Sequence, residues 1–464
     1  MVSAAGVPPA ADSVATVPTQ TRILYGLGSI AYGIKDNGFS VFLLLFYNQI
    51  VGLDAALVGL MLLIALVLDA FIDPVVGHLS DRTRTRWGRR HPWIYASIIP
   101  LFIAWMMLWS PPEGDQSMQL LWLLGCATLV RMTLSLNEVP SLALAPEMTP
   151  DYHERTAIVG WRYMFGWLGG LIILAAAYGV FRLADPDFAT AASFYAYALT
   201  GAIVMALSIG ISAVGTHRRY ARPMAAEAHQ PSFHEMLACA RFRPFLLLLM
   251  AALFGFANQG VSFALSSYML AYIWKFDAGT QVLYAACLFI GVLLALVMSP
   301  RWGRRYGKRG AGVRFAIGAN AFGVLPYCLL LAGWWPTPGS LASTALYLPI
   351  VTLAVSLGIG VMITAASMMA DVSTAHQAIS GRQQEGTFYA GWFFTQKCVT
   401  GIGIFLSGQV LALIAFPARA NPATIDPQVV LDLAGAFVII TIILGVATAW
   451  ALSLYPLDRA DHPA

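Results

Sequence analysis

The sequence predicts an all-α integral membrane protein of twelve transmembrane helices in two six-helix halves, and three observations carry that expectation. The first is composition: of 464 residues, 58% are hydrophobic and only 11% charged, with a mean hydropathy of +0.70. Its 27 Lys and Arg and 23 Asp and Glu cannot cover a soluble globule of this size, which excludes a large soluble enzyme. The second is a series of apolar stretches close to the ~20 residues needed to cross a hydrocarbon core of about 30 Å. The third is the pentapeptide RWGRR, which occurs at residues 86–90 and again at 301–305, each time interrupting an apolar stretch. Equivalent loops in the two halves carry it, so the chain reads as a duplication.

The elements follow in order. Residues 1–21 are rich in Pro, Ala, Thr and Val but lack the basic start and apolar run of a secretory signal, so a disordered cytoplasmic N-tail is expected. Spans 1 to 6 are expected at 22–50, 55–80, 92–110, 118–146, 156–182 and 189–216, which makes 22–216 the N-terminal half. Residues 217–242 are polar, contain Pro223 and Pro231, and read as a cytoplasmic linker. Spans 7 to 12 are expected at 243–273, 280–300, 313–333, 343–371, 386–416 and 428–456, giving a C-terminal half of 243–456 and a cytoplasmic C-tail of 457–464.

Charge sets the orientation. With both termini on one side, the tails and even-numbered loops hold 20 of the 27 Lys and Arg, the opposite loops hold three (Arg182, Lys275, Arg419), and four lie inside spans. That bias puts both termini in the cytoplasm of a plasma membrane, here a bacterial inner membrane. It also explains the net charge of +4 without any nucleic-acid partner. The five cysteines, at 126, 239, 287, 328 and 398, show neither pairing nor metal-ligand spacing and read as small buried hydrophobes.

The first RWGRR copy follows Gly77 and Asp81, so the loop reads G-x-x-x-D-R and then G-R-R, while the second copy lacks the acid. Asp81, Arg82, Arg86, Arg89, Arg90, Arg301 and Arg304 are therefore candidates for cytoplasmic gating contacts. Anchoring to anionic lipid headgroups is their plainer role. A parallel duplication of six helices with this loop signature resembles the major facilitator architecture.

Eight ionisable residues fall inside spans: Lys35 and Asp36 on span 1, Asp69 and Asp73 on span 2, Arg131 and Glu138 on span 4, Arg162 on span 5, and Lys397 on span 11. Each costs about 2.5–3.5 kcal/mol at the bilayer centre, so each needs a cavity or a partner. Asp69 and Asp73 are four apart and share one helix face. Two carboxylates held together repel, and both stay ionised only if a cation enters or a base approaches, which describes a coupling-ion site. Glu138 is a candidate third carboxylate. The alternative is that the two aspartates are structural ion pairs of Arg131 and Arg162. Pro74 and Pro140 sit beside Asp73 and Glu138, where freed carbonyls would line a cavity.

At these residues the chain resembles the glycoside-pentoside-hexuronide:cation symporter family, the melibiose permease-like branch of the major facilitator superfamily. The matching motifs are G-x-K-D (Gly33, Lys35, Asp36), D-x-x-x-D-P (Asp69, Asp73, Pro74), T-R-W-G-x-x-x-P-W-I at 85–94, and the acid-x-P of Glu138 and Pro140. The triplet Ala257, Asn258, Gln259 and the G-R-x-x-E-G run leading to Lys397 extend the similarity to most of the chain. The resemblance implies a cation site of Asp69, Asp73 and Glu138. It also implies sugar-hydroxyl contacts from Asp36 and Arg162, with Lys397 near the junction of the two sites; Lys35 adjoins Asp36.

Three departures bear on mechanism. Leu142 stands where the melibiose permease has an aromatic platform for the sugar, so Trp161, Tyr163, Tyr389 and Trp392 are candidate replacements, although such aromatics also serve as packing. Ile72 stands where an amide is usual just before the second aspartate, which removes an oxygen ligand and favours H⁺ over Na⁺ as coupling ion; Ser135, one turn before Glu138, restores one oxygen. After Asp371 the chain reads Val372-Ser373-Thr374-Ala375-His376, a loop expected to gate the cytoplasmic side, with His376 in solvent.

The expected function is cation-coupled symport of a sugar or glycoside by alternating access, in a monomer, with membrane lipids as the other partners and no cofactor beyond the coupling ion. Carriage of amphipathic lipids such as lysophospholipids on the same fold is the alternative. The lack of GxSxG, HExxH or paired metal-ligand motifs argues against an enzyme.

Overall fold

The structure, a computed structural model, describes residues 17–149, 152–181, 190–221, 242–380, 385–422 and 424–457. Among them every element is helical. In the first half, α1 runs through Thr19–Leu27 and Ile30–Asn37, then loosens into π turns at Gly38–Phe42 and Phe46–Val51 around the short Leu43–Leu45. It is followed by α2 (Ala55–Arg82), α3 (His91–Leu108), α4 (Gln116–Met148), α5 (Tyr152–Ala176, extended by a π turn at Ala177–Phe181) and α6 (Ala191–Tyr220).

The second half begins with α7 (Arg243–Tyr268, with a π turn at Met269–Ile273). The next helical run, Ala278–Leu331, has 54 residues, about 80 Å if straight and far longer than a bilayer requires. It breaks at Gly307, whose φ of 71° is left-handed and open to glycine at no steric cost. Trp302 and Phe315 stack at 4.6 Å across the break, so the chain turns back on itself there. The two limbs are α8 (278–306) and α9 (308–331), and α10 (Leu341–Ser380), α11 (Glu385–Leu413) and α12 (Pro427–Ser453) complete the half. Ten described helices are long and apolar enough to cross a membrane. The long one serves as two, and the interrupted α1 supplies the remaining crossing.

Several expected boundaries move. Helix α10 continues to Ser380, so residues 372–376 are helical rather than a loop, because no Gly or Pro interrupts the chain between Gly360 and Gly381. His376 accordingly packs between the rings of Phe242 and Phe388, at 5.2 and 5.1 Å, instead of standing in solvent. The two RWGRR copies also differ: the first is a turn with Gly88 at φ 76°, the second the last helical turns of α8. Residues 17–21, placed in the tail, are anchored by the Val17 amide donating to the Glu154 carboxylate, and Val17 and Thr21 are buried. Helix α6 runs four residues into the expected linker, to Tyr220. The rest of the N-tail, most of the linker and all but Leu457 of the C-tail lie outside the described residues.

The halves meet through α2 against α11, α1 against α7 and α5 against α8. At the end opposite the termini they share one apolar core, built around Phe46, Trp105, Trp109, Tyr197, Tyr268 and Trp274. Towards the terminal end the core divides into clusters that each belong to one half, such as Tyr25, Leu144 and Ile158 in the first and Phe245, Met368 and Phe388 in the second. Buried polar contacts tie the halves at the opposite end: Tyr268 donates to Asn48 Oδ1 and Tyr272 to Gln49 Oε1, each at 3.0 Å, and the Ala420 amide donates to Gln49 Oε1 at 2.8 Å. The described contacts of the terminal-end charges stay within one half, as with Arg90 and Glu147 or Lys308 and Asp371. The molecule is thus closed opposite the termini and parted on the side that carries them.

Candidate coupling and substrate site

Close backbone approach places α1. A Cβ on Gly33 would lie 1.9 Å from the Gly166 carbonyl oxygen of α5, so these helices touch where both have only hydrogen. Asn37 donates across the same crossing to the Gly170 carbonyl at 3.1 Å. Lys35, Asp36 and Arg162 are thereby carried into the interior of the first half. Lys35 is 3% exposed, with its ammonium 3.7 Å from Asp36 Oδ1 and 4.3 Å from the Tyr32 ring centre, whereas the Asp36 side chain is 47% exposed. Arg162 donates to Ser141 Oγ at 2.5 Å and lies 5.3 Å from the Tyr25 ring centre; the Tyr25 hydroxyl in turn donates to the Ser141 carbonyl. Arg162 is not a partner of Asp69 or Asp73, because the first turns of α5 sit beside α1 and α4, one helix away from α2.

The aspartates of α2 face α4 and α11. Asp69 Oδ2 is 3.1 Å from Arg131 of α4 and 3.0 Å from the Lys397 ammonium of α11. Lys397 also donates to Asp73 Oδ2. Ser135 donates to Asp73 Oδ1 at 2.6 Å and stands 3.1 Å from Asp69 Oδ1. Two carboxylates, two cationic heads and a hydroxyl therefore form one cluster, with Asp69 buried and Asp73 partly open. The Arg131–Asp69 contact of the alternative, structural reading is present. Lys397 meets both aspartates from the other half of the molecule. Glu138 is half-buried and, among the described residues, makes no hydrogen bond or ion pair; it stands within electrostatic reach of Lys397, Lys35, Asp73 and Arg162.

The aromatic candidates divide. Trp392 is only 8% exposed and packs edge-on against Phe256, so it belongs to the core of the second half and is not available to a substrate. Trp161 is half-buried and stacks on Phe165 at 6.0 Å, and Tyr389 is half-buried near Phe393. Tyr163, by contrast, is 54% exposed and within electrostatic reach of Glu138, Arg162 and Tyr389, while Leu142 is 43% exposed.

Of the loop residues, Arg90 carries most contacts: it pairs with Asp81, donates to Glu147 Oε1 at 3.0 Å, and donates to Ser80 Oγ at 2.8 Å. Arg89 adds a 2.7 Å bond to the same Glu147. Arg82, Arg86, Arg301 and Arg304 are exposed, and Arg301 donates to its own helix at the Val297 carbonyl. The corresponding clamp of the second half is Lys308 with both oxygens of Asp371, at 2.7 Å. Sequence reasoning passed over Glu147, Glu154, Lys308 and Asp371. The usable signal was that Glu147 and Glu154 are rare acids flanking one short loop.

The sequence profile of the family described as MFS/sugar transport protein matches residues 24–459. The chain belongs to that family. It is 25% identical to an uncharacterised symporter of a Synechocystis strain over 95% of both chains. To the isoprimeverose transporter of Lactiplantibacillus pentosus it is also 25% identical, over 87% of this chain and 82% of the relative. The sodium-dependent lysophosphatidylcholine symporter 1-A of Danio rerio is 22% identical, over 85% and 78%. Among solved structures, a bacterial homologue of the lysosomal transporter Spinster, described as inward-facing and unoccupied, superposes with a TM-score of 0.66 at 15% identity, covering 94% of this chain and 97% of that one. This member of the MFS/sugar transport family is a cation-coupled symporter, and not an enzyme.

Proposed function

We propose that the protein is a proton-coupled symporter of a sugar or glycoside, acting as a monomer in a bacterial inner membrane with both termini in the cytoplasm. One observation carries the coupling assignment: Lys397 of the second half clamps Asp69 and Asp73 of the first. An ammonium held between two carboxylates occupies the place of an entering cation, so ion binding and release of this inter-half bond become alternatives. On this orientation the parted side opens to the cytoplasm, which corresponds to an inward-facing carrier awaiting release or reloading.

Ser135 favours the proton. Its hydroxyl has one hydrogen to give but lies within bonding distance of two carboxylate oxygens, so both contacts are satisfied when one carboxyl itself carries a proton. Sodium needs several oxygen ligands; Ile72 contributes none and Ser135 only one. For the substrate, Asp36 and Arg162 offer an acceptor and a planar donor fork suited to vicinal hydroxyls, and Lys35 holds Asp36 from behind.

A second reading, carriage of an amphipathic lipid, is supported by the exposure of Leu142 where an aromatic platform is usual and by similarity to a lysophospholipid symporter. Proteoliposomes answer both questions. Uptake is expected to follow an imposed pH gradient at zero sodium gradient. Uptake driven by sodium with no proton gradient overturns the ion assignment, and melting-temperature shifts with lysolipids but not glycosides overturn the substrate class.

A further inference from the structure

Outside the transport path, a groove runs down the outer face of the second half between α9 and α12. Its terminal-end mouth, about 480 Å³, is lined by Tyr306, Arg309, Arg314 and Ser453. It continues into an apolar trough of about 580 Å³ that shares Val313 and Ile317 with the mouth and passes Asn320, Val446 and Trp450. From Arg309 to Val324 the groove follows sixteen residues of α9, about 22 Å along the helix.

Three features separate this groove from an ordinary lipid-facing seam. The equivalent seam of the first half, between α3 and α6, is filled at the same level: His91 and His217 rings lie 5.1 Å apart, Tyr95 bonds His217, and Trp87 packs on Tyr95. Next, neither Arg309 nor Arg314 has an acidic partner among the described residues. Arg314 donates to its own helix at Gly310 and lies 4.1 Å from the Tyr306 ring centre, which leaves its remaining donors free. Finally, Asn320 places a carboxamide in the trough, packed over Gly445, with its Oδ1 buried and unpartnered.

We infer that this groove is a binding site for one anionic glycerophospholipid, its phosphate between Arg309 and Arg314 and one acyl chain lying in the trough towards Val324. Charge complementarity selects the headgroup, since basic pockets between membrane helices at the headgroup level recognise anionic lipids. The apolar stripes of the two helices select the chain, and the Asn320 amide faces the depth at which ester groups leave the headgroup.

Native mass spectrometry of the full-length carrier, taken from mixed phosphatidylglycerol and phosphatidylcholine vesicles, tests the site. Wild type should retain one phosphatidylglycerol in preference to phosphatidylcholine, and R309Q/R314Q should retain it roughly 30-fold less well, each charge being worth about fivefold. R84Q/R218Q, which removes equal charge from exposed positions of the first half, should behave as wild type. V446W, which fills the trough with the arginines intact, should also lose the lipid; A321F replaces it if V446W lowers the melting temperature. Equal loss in R84Q/R218Q, retention in both trough variants, or displacement of the lipid by excess inorganic phosphate overturns the proposal.

Discussion

Replacing Lys397 by methionine gives the sharpest test of the inter-half clamp. Asp69 would keep Arg131 at 3.1 Å, but Asp73 would keep only Ser135. Removing one partner of a fully buried pair costs about 3–5 kcal/mol. Here the Asp73 side chain is 28% exposed and that of Lys397 17%, so screening reduces the cost to roughly 2–3 kcal/mol. Asp73→Asn in the wild-type background should cost only about 1 kcal/mol, since Lys397 retains Asp69. In the Lys397→Met background the same change removes the uncompensated charge and should restore about 1–2 kcal/mol. The sign of the Asp73→Asn effect therefore reverses. Thermal unfolding in detergent should place wild type as the most stable and K397M as the least, with D73N and K397M/D73N between them. In proteoliposomes, all three variants should lose gradient-driven accumulation, and K397M should keep substrate exchange. If D73N destabilises equally in both backgrounds, Lys397 does not hold Asp73 and the coupling argument fails.

Two further outcomes are expected. Ser135→Ala removes the hydroxyl that accepts from the protonated carboxyl, a contact absent from the ionised pair and worth about 0.5–1.5 kcal/mol, so the proton concentration for half-maximal uptake should rise roughly fivefold; an unchanged midpoint excludes Ser135 from the ion site. At Gly408 of α11 a Cβ would lie 2.3 Å from the Ala55 carbonyl of α2, so Gly408→Ala should wedge the halves apart opposite the termini. Overpacking of about 1–3 kcal/mol predicts that a cysteine introduced at Val51 is labelled by an impermeant maleimide roughly tenfold faster, and equal labelling contradicts the closure assigned to that end.

The long apolar helices were legible because hydropathy and length act locally and a bilayer leaves a chain few options. The shared face of Asp69 and Asp73 was legible for the same reason, through helical periodicity. Where Lys397 would dock was not, since 324 residues separate it from Asp73 and no local pattern reports a contact between halves. The fate of the second RWGRR copy was also hidden. Identical residues form a turn at one site and a helix end at the other because the left-handed glycine falls at Gly88 in one and at Gly307, beyond the motif, in the other. Trp392 misled for a related reason: an aromatic beside a cavity helix shows its face only once neighbours such as Phe256 are in place.

The closure opposite the termini rests in its buried part on hydroxyl and amide groups, from Asn48, Gln49, Tyr268 and Tyr272, with Arg419 bonding Val51 only at the exposed rim. Prying such neutral dipoles apart displaces little charge along the membrane normal. Transmembrane voltage, worth about 2.3 kcal/mol per elementary charge per 100 mV, has almost nothing to pull on there. On the proposed coupling scheme, electrical driving force acts at the loading of the acid cluster and not at this seal.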